Sequence, residues 1–172
     1  GINVTEDLGG GLKAIANLEN RLNADDGTVS TPFFQQSWVG VQGGFGRVTV
    51  GRQWNMLFDL VTSTYASFPY SPYMEAYKPE LGMAIGVRAS NMVKYLAEVG
   101  PVRGSLQYSF DEGNQVNSTT TPAAIPGIVG GATKTAGGYI RYAANGIAAG
   151  AGFLRTTLPG GTEVDAWTLG GS

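Results

Sequence analysis

The 172 residues include no cysteine and no histidine. Those two absences remove disulfide scaffolds, thiol nucleophiles, cysteine–histidine zinc clusters and every Ser-His or Cys-His catalytic pair. Charge is scarce too, at 14% of residues, against roughly 25% in ordinary soluble domains. The net charge of -2 and isoelectric point near 5.0 offer no basic face to nucleic acid. No run of 18 apolar residues occurs, which excludes a transmembrane helix. The start, Gly1-Ile2-Asn3-Val4-Thr5-Glu6-Asp7, lacks the basic and apolar regions of a signal peptide. The chain is therefore expected either not to be exported or to be a mature or partial sequence.

Glycine, by contrast, is abundant, at 27 residues, and mean hydropathy is close to zero. A helix-period apolar stripe is hard to find, whereas short segments of period two recur between glycine, asparagine and proline clusters, so the fold class read here is all-β. In the segment from Leu12 to Leu22, Leu12, Ala14, Ala16 and Leu18 share one face, and Lys13, Ile15, Asn17, Glu19 and Arg21 the other. In a soluble sandwich the first face would meet a core and the second water. In a membrane barrel the first would meet lipid and the second the lumen. Alternation alone leaves both open.

Further strands are expected at about 33–42, 46–51, 91–98, 102–110, 136–144, 148–157 and 164–169. In the segment 102–110, Val102, Leu106, Tyr108 and Phe110 oppose Arg103, Ser105, Gln107 and Ser109. An arginine against lipid near mid-membrane costs about 2–4 kcal/mol, so a barrel would have to turn Arg103 inward, and likewise Lys13, Glu19 and Arg21. Arg52 breaks the pattern: it shares its side of the strand with Val48 and Val50, and only a bulge or strand end at Gly51 would re-aim it.

The connections come in two sizes that alternate along the chain. Gly9-Gly10-Gly11, Gly43-Gly44, Gly100-Pro101 and Asn145-Gly146 are tight; 23–32, 54–90, 111–135 and 158–163 are long. Tight turns at one end and long loops at the other are what outer-membrane barrels have. The longest, 54–90, is 37 residues without strand pattern, beyond the ~12–15 residues of ordinary loops. It holds Trp54, Phe58, Tyr65, Phe68, Tyr70, Tyr73 and Tyr77, whereas disordered linkers are poor in aromatics, so it needs a surface to pack on. The segment 111–135, rich in Thr, Ser, Pro, Gly and Asn, reads as a mobile external loop.

At this point specific residues become informative. Thr5-Glu6-Asp7-Leu8-Gly9-Gly10-Gly11-Leu12-Lys13-Ala14, followed by Leu18-Glu19, resembles the hairpin of the second and third strands of Gram-negative general porins. Val39-Gly40-Val41 with Gly44-Phe45-Gly46-Arg47-Val48-Thr49-Val50-Gly51-Arg52-Gln53 resembles their fourth and fifth strands. Arg88-Ala89-Ser90-Asn91-Met92-Val93-Lys94-Tyr95 resembles the sixth, and the stretch from Val102 to Tyr108 the seventh. The ordered set spans the chain and is most similar to the β-proteobacterial type. The resemblance implies a transmembrane antiparallel β-barrel of sixteen strands, assembled as a homotrimer in the bacterial outer membrane among lipid and lipopolysaccharide, with the third loop folded inward. Residues 1–172 would form a single incomplete barrel domain covering roughly strands 2 to 10, with 54–90 as the constriction loop, in a protein about twice as long.

The implied function is passive diffusion of ions and small hydrophilic solutes, with no covalent step, no cofactor and no nucleic acid. The resemblance carries over Glu19 as a lumenal acid and Arg52 and Arg88 as constriction arginines, while Lys13, Gln36 and Arg103 join them on the pore wall. Fixed charges in a narrow aqueous pore set ion preference. Asp59, Glu75 and Glu80 are the candidate loop acids, and Pro79-Glu80-Leu81-Gly82 resembles a porin loop tip. Strongly anion-selective relatives carry arginine where Gln35 and Gln36 stand, which argues against marked anion selectivity. Asp25-Asp26-Gly27 reads as a turn without the ligand count of a calcium loop. The competing readings are a substrate-selective channel whose loop aromatics form a track for sugars or aromatic acids, and a soluble or surface β-sheet binding or adhesion module. An outer-membrane barrel enzyme would need an unusual base in place of histidine.

Overall fold

The computed structural model describes residues 1–65, 88–110, 134–157 and 161–171. Nine strands form one antiparallel sheet in chain order: β1 (Ile2–Gly9), β2 (Leu12–Leu22), β3 (Val29–Gly43), β4 (Gly46–Trp54), β5 (Arg88–Val99), β6 (Val102–Ser109), β7 (Lys134–Ala144), β8 (Ile147–Thr157) and β9 (Glu163–Gly171). Each strand pairs with its neighbour in sequence, so the sheet is a plain meander. Two-residue turns join β1–β2, β3–β4, β5–β6 and β7–β8, all at one end. Positive φ at Gly100 (57°), Asn145 (54°) and Gly146 (78°) is the backbone these reversals require.

The first long connection is shorter than the composition implies, because β3 begins at Val29 rather than near Phe33. A local turn closes the hairpin early: Asn23 N–H donates to the Thr28 carbonyl and Gly27 N–H to the Asn23 carbonyl, both at 2.9 Å. Asp26 Oδ1 accepts from the backbone N–H and the hydroxyl of Thr28.

Following the register across the sheet separates its two faces. One row runs Val41, Val48, Tyr95, Leu106, Gly138, Phe153 and Trp167; another runs Val39, Val50, Val93, Tyr108 and Ala136. Most of the large apolar side chains in these rows are exposed, Leu106 at 63% and Trp167 at 74%, while Val48 and Phe153 are half-buried. The opposite face carries the row Thr49, Lys94 and Gln107 and the row Met92, Ser109, Thr135 and Thr156, all buried. Polar residues inside and apolar residues outside invert the arrangement of a soluble sheet. An apolar surface this extensive marks contact with lipid or protein.

The buried face has its own apolar cluster. After β4 the chain enters a single turn of helix, α1 (Met56–Leu60), continued by a turn of π geometry, Val61–Tyr65. Met56, Leu57, Leu60 and Val61 are fully buried, the first three packed with Tyr139, Leu154 and Ala166 of β7–β9. Gly150 and Gly152 of β8 make room: a Cβ on Gly150 would lie 2.6 Å from Leu60 Cδ1, and one on Gly152 3.0 Å from Leu60 Cδ2. The expectation that the long segment packs on the sheet is met here by aliphatic residues, with Phe58 and Trp54 beside them. Of the other aromatics named, residues 68, 70, 73 and 77 lie outside the described residues, as does most of the segment 111–135.

Candidate functional site

The helix-bearing face gathers most of the charges. On β2, the parity of Glu19 places Lys13 and Arg21 on the same side, and Lys13 stands opposite Asp7 and Gln42. Glu19 Oε2 accepts from Gln36 Nε2 at 2.6 Å, and Gln36 Oε1 accepts from Trp38 Nε1 at 3.3 Å. Gln36 is thereby held buried as a bridge. A bulge helps: β2–β3 register moves from Glu19 opposite Gln36 to Asn20 opposite Phe34, leaving Gln35 as the extra residue.

In the β3–β4 register Arg52 stands opposite Ser37 and keeps the parity of Val48 and Val50. Gly51 has φ 125°, and the β4–β5 register shifts between Gly51 and Gln53. Arg52 is half-buried, its Nη1 donating to Ser90 Oγ at 3.1 Å. Arg88, opposite Trp54 at the start of β5, lies 3.5 Å over the Trp54 ring, which stacks on Phe58 with centroids 4.1 Å apart. A cation over an indole face gains about 0.5–2 kcal/mol, more as water is excluded. The charges acting on the Arg88 guanidinium are Glu19, Arg21 and Arg52. Three residues carried over from the resemblance, Glu19, Arg52 and Arg88, therefore form one group, with Arg21 as a fourth member. Neither Arg52 Nε nor Arg88 Nε, both buried, has a hydrogen-bond partner among the described residues.

Asp59 belongs elsewhere. It sits in the first turn of α1, and its Oδ2 is 2.6 Å from Lys94 Nζ, which also donates to the Trp54 carbonyl at 2.6 Å. Its charge is taken up by that lysine. Arg103 pairs with Glu98 across β5–β6 and lines, with Trp38, Arg47, Asp59, Lys94 and Tyr139, a cavity of about 260 Å³ beneath α1. Arg103 therefore lies on the helix-bearing side, as its parity requires. Glu75 and Glu80 lie outside the described residues. Among the described residues no cluster of acids is arranged to hold a metal.

Three participants lie outside the residues carried over from the sequence: Lys94, Arg47 and Gln107. Parity would have found Lys94, which alternates with Val93 and Tyr95 as Arg103 does with Leu106 and Tyr108. Gln107 was placed on the inner side, but its task, accepting the Met56 N–H at 2.6 Å, depends on a helix of one turn. A helix that short shows no period, and its signal is Asn55, whose Oδ1 accepts from Phe58 N–H.

One arginine lies on the exposed face. Arg155, near the long-loop end of β8, makes two bonds to Asp165 at 2.7 and 2.8 Å and pairs with Glu163 at 2.9 Å. The bidentate pair with Asp165, at the end of the strand, makes that position tolerable.

Comparison with known proteins bears on this arrangement. A family model described as Gram-negative porin matches residues 1–172. Outer membrane porin protein 32 of Delftia acidovorans is 32% identical over 182 residues, covering 100% of this chain and 49% of the relative. Major outer membrane protein P.IB of Neisseria meningitidis serogroup B is 31% identical over 140 residues, covering 80% of this chain and 38% of the relative. Among solved structures, an anion-selective porin from Comamonas acidovorans superposes with a TM-score of 0.70 at 31% identity, over 97% of this chain and 50% of that one. OmpT of Vibrio cholerae, at 16% identity and a TM-score of 0.60, shares the fold alone. The chain spans about half the length of the Delftia porin and of the Comamonas structure, and 38% of the Neisseria protein.

Proposed function

The chain belongs to the Gram-negative porin family, and from that membership we propose that it forms part of the wall of a water-filled outer-membrane channel for passive diffusion of ions and small hydrophilic solutes. The observation that carries the reading is the inverted sheet, with exposed Val, Leu, Tyr and Trp on one face and Thr, Gln, Ser, Lys and Arg on the other. The first face meets lipid, and lipopolysaccharide on the long-loop side. The second lines water, with α1 standing in the lumen. Closure takes further strands beside β1 and β9, in a barrel of the sixteen-stranded, homotrimeric type.

Glu19, Arg52 and Arg88, with Arg21, form the charged wall of the constriction, and Glu80 and Glu75 are the acids that face it. Asp59 does not add to the field, because Lys94 cancels it. The wall arginines favour anions, in the sense of the anion-selective Comamonas relative, against the opposing acids Glu19, Glu75 and Glu80. Gln35 and Gln36 keep that preference mild.

Reversal potentials in a salt gradient, measured on channels of the complete protein, test this. Arg52→Ala and Arg88→Ala are expected to move selectivity towards cations, and Glu80→Gln the other way. Unchanged potentials in all three would refute the constriction assignment. Monomeric solubility in plain buffer would sink the channel itself.

A further inference from the structure

We propose that Lys94 is a positioning residue that sets how far the inward segment stands off the wall, and with it the width of the channel. The inference rests on the channel reading above and goes beyond it to a residue that the resemblance does not supply.

Lys94 is 5% exposed, on the helix-bearing face of β5. Between Arg88, opposite Trp54, and Lys94 the strand is irregular, with φ 48° at Asn91 and a shift of the β4–β5 register. Lys94 holds the inward segment at two points, the Trp54 carbonyl at its root and the Asp59 carboxylate on α1, each at 2.6 Å. Gln107 adds a third tie at the Met56 N–H.

The aliphatic contacts of α1 cannot do this alone. Met56, Leu57 and Leu60 attach the segment to β7–β9, but apolar burial is non-directional and permits sliding over the glycine-lined surface. A buried ammonium is different: once parted from its acceptors it is left with an uncompensated charge, so it tolerates one placement of the segment. Because the pair is neutral as a whole, its effect is on geometry more than on the field.

The test uses channels of the complete protein in planar bilayers and reads two quantities: the exclusion limit for neutral polyethylene glycols, which reports width irrespective of charge, and the reversal potential. Lys94→Met is expected to shift the exclusion limit to smaller polymers and to replace the steady open level by a noisy one, as the segment leaves the wall. Lys94→Arg, which keeps a charged multiple donor, is expected to restore the limit, and Asp59→Asn, which leaves the Trp54 contact, to give an intermediate shift. An unchanged limit in Lys94→Met, or an equal shift in Lys94→Arg, would overturn the proposal. Should Lys94→Met not assemble, Asp59→Asn decides, and an unchanged limit there overturns it too. Absence of any channel in the unsubstituted protein would instead condemn the channel reading.

Discussion

Gly150→Ala and Leu60→Ala are each expected to loosen α1, and the two together to loosen it much less than their sum. Leu60 is fully buried, and its Cδ1 would lie 2.6 Å from a Cβ at position 150, where the next nearest atoms are the Ile140 carbonyl oxygen at 3.2 Å and Thr64 Oγ1 at 3.5 Å. Leu60→Ala removes buried methyl groups and leaves a void that glycines 150 and 152 have no side chains to fill, which points to about 3 kcal/mol within the usual ~2–5. Gly150→Ala forces a methyl against Leu60 and costs about 1–3 kcal/mol as overpacking. With both present the new methyl occupies part of the void and recovers about 1 kcal/mol, so the coupling is about -2 to -4 kcal/mol. Hydrogen exchange reads this locally. The Val61 amide bonds the Leu57 and Phe58 carbonyls and the Asp59 amide the Asn55 carbonyl, so their protection tracks detachment of α1. A 3 kcal/mol loss corresponds to about 100-fold faster exchange. If the double variant exchanged as the sum of the singles, within the ~0.5 kcal/mol of independent sites, the proposed packing of Leu60 on Gly150 would be refuted.

Replacing Gln107 by leucine removes the acceptor of the buried Met56 N–H, an orphaned donor that costs about 1–3 kcal/mol; faster exchange of the α1 amides with the sheet amides unchanged is the expected signature, and equal loss in both would contradict it. At the β2–β3 turn, the Thr28 N–H and hydroxyl hold the Asp26 carboxyl below its ordinary value. A depressed carboxylate stabilises the fold above its unfolded value and ceases to do so as pH falls through the folded one, so the turn is expected to persist into acid until Asp26 protonates. An NMR titration of Asp26, shifted upward by Thr28→Val, checks the cause. On the exposed face, Arg155→Leu leaves Glu163 and Asp165 unpaired and is expected to lower the thermal stability of the assembled protein, whereas Arg155→Leu with Asp165→Leu lowers it less; equal losses would show that the pair contributes nothing.

The strands and their two faces were legible without coordinates because a strand's side chains alternate with period two. From the alternation at Leu12–Leu22 and 102–110 follow the pairing rows of the sheet and the inward turn of Arg103. The surroundings of Arg52 are not legible by the same rule, since its bond to Ser90 depends on the register shift between β4 and β5. α1 escaped notice because one helical turn has no period, and the destination of Asp59 because Lys94 is 35 residues away.

What the sequence determined by itself is therefore the all-β class, the sorting of short and long connections to opposite ends, and a polar face opposed to an apolar one, all properties of local chain order. Only the tertiary structure decided which charges meet. Lys94 cancels Asp59, Arg88 rests on Trp54, and Glu19 joins Arg21, Arg52 and Arg88, because electrostatic and packing contacts depend on distance in space, and a bulge, a one-turn helix and a pair of glycines set those distances.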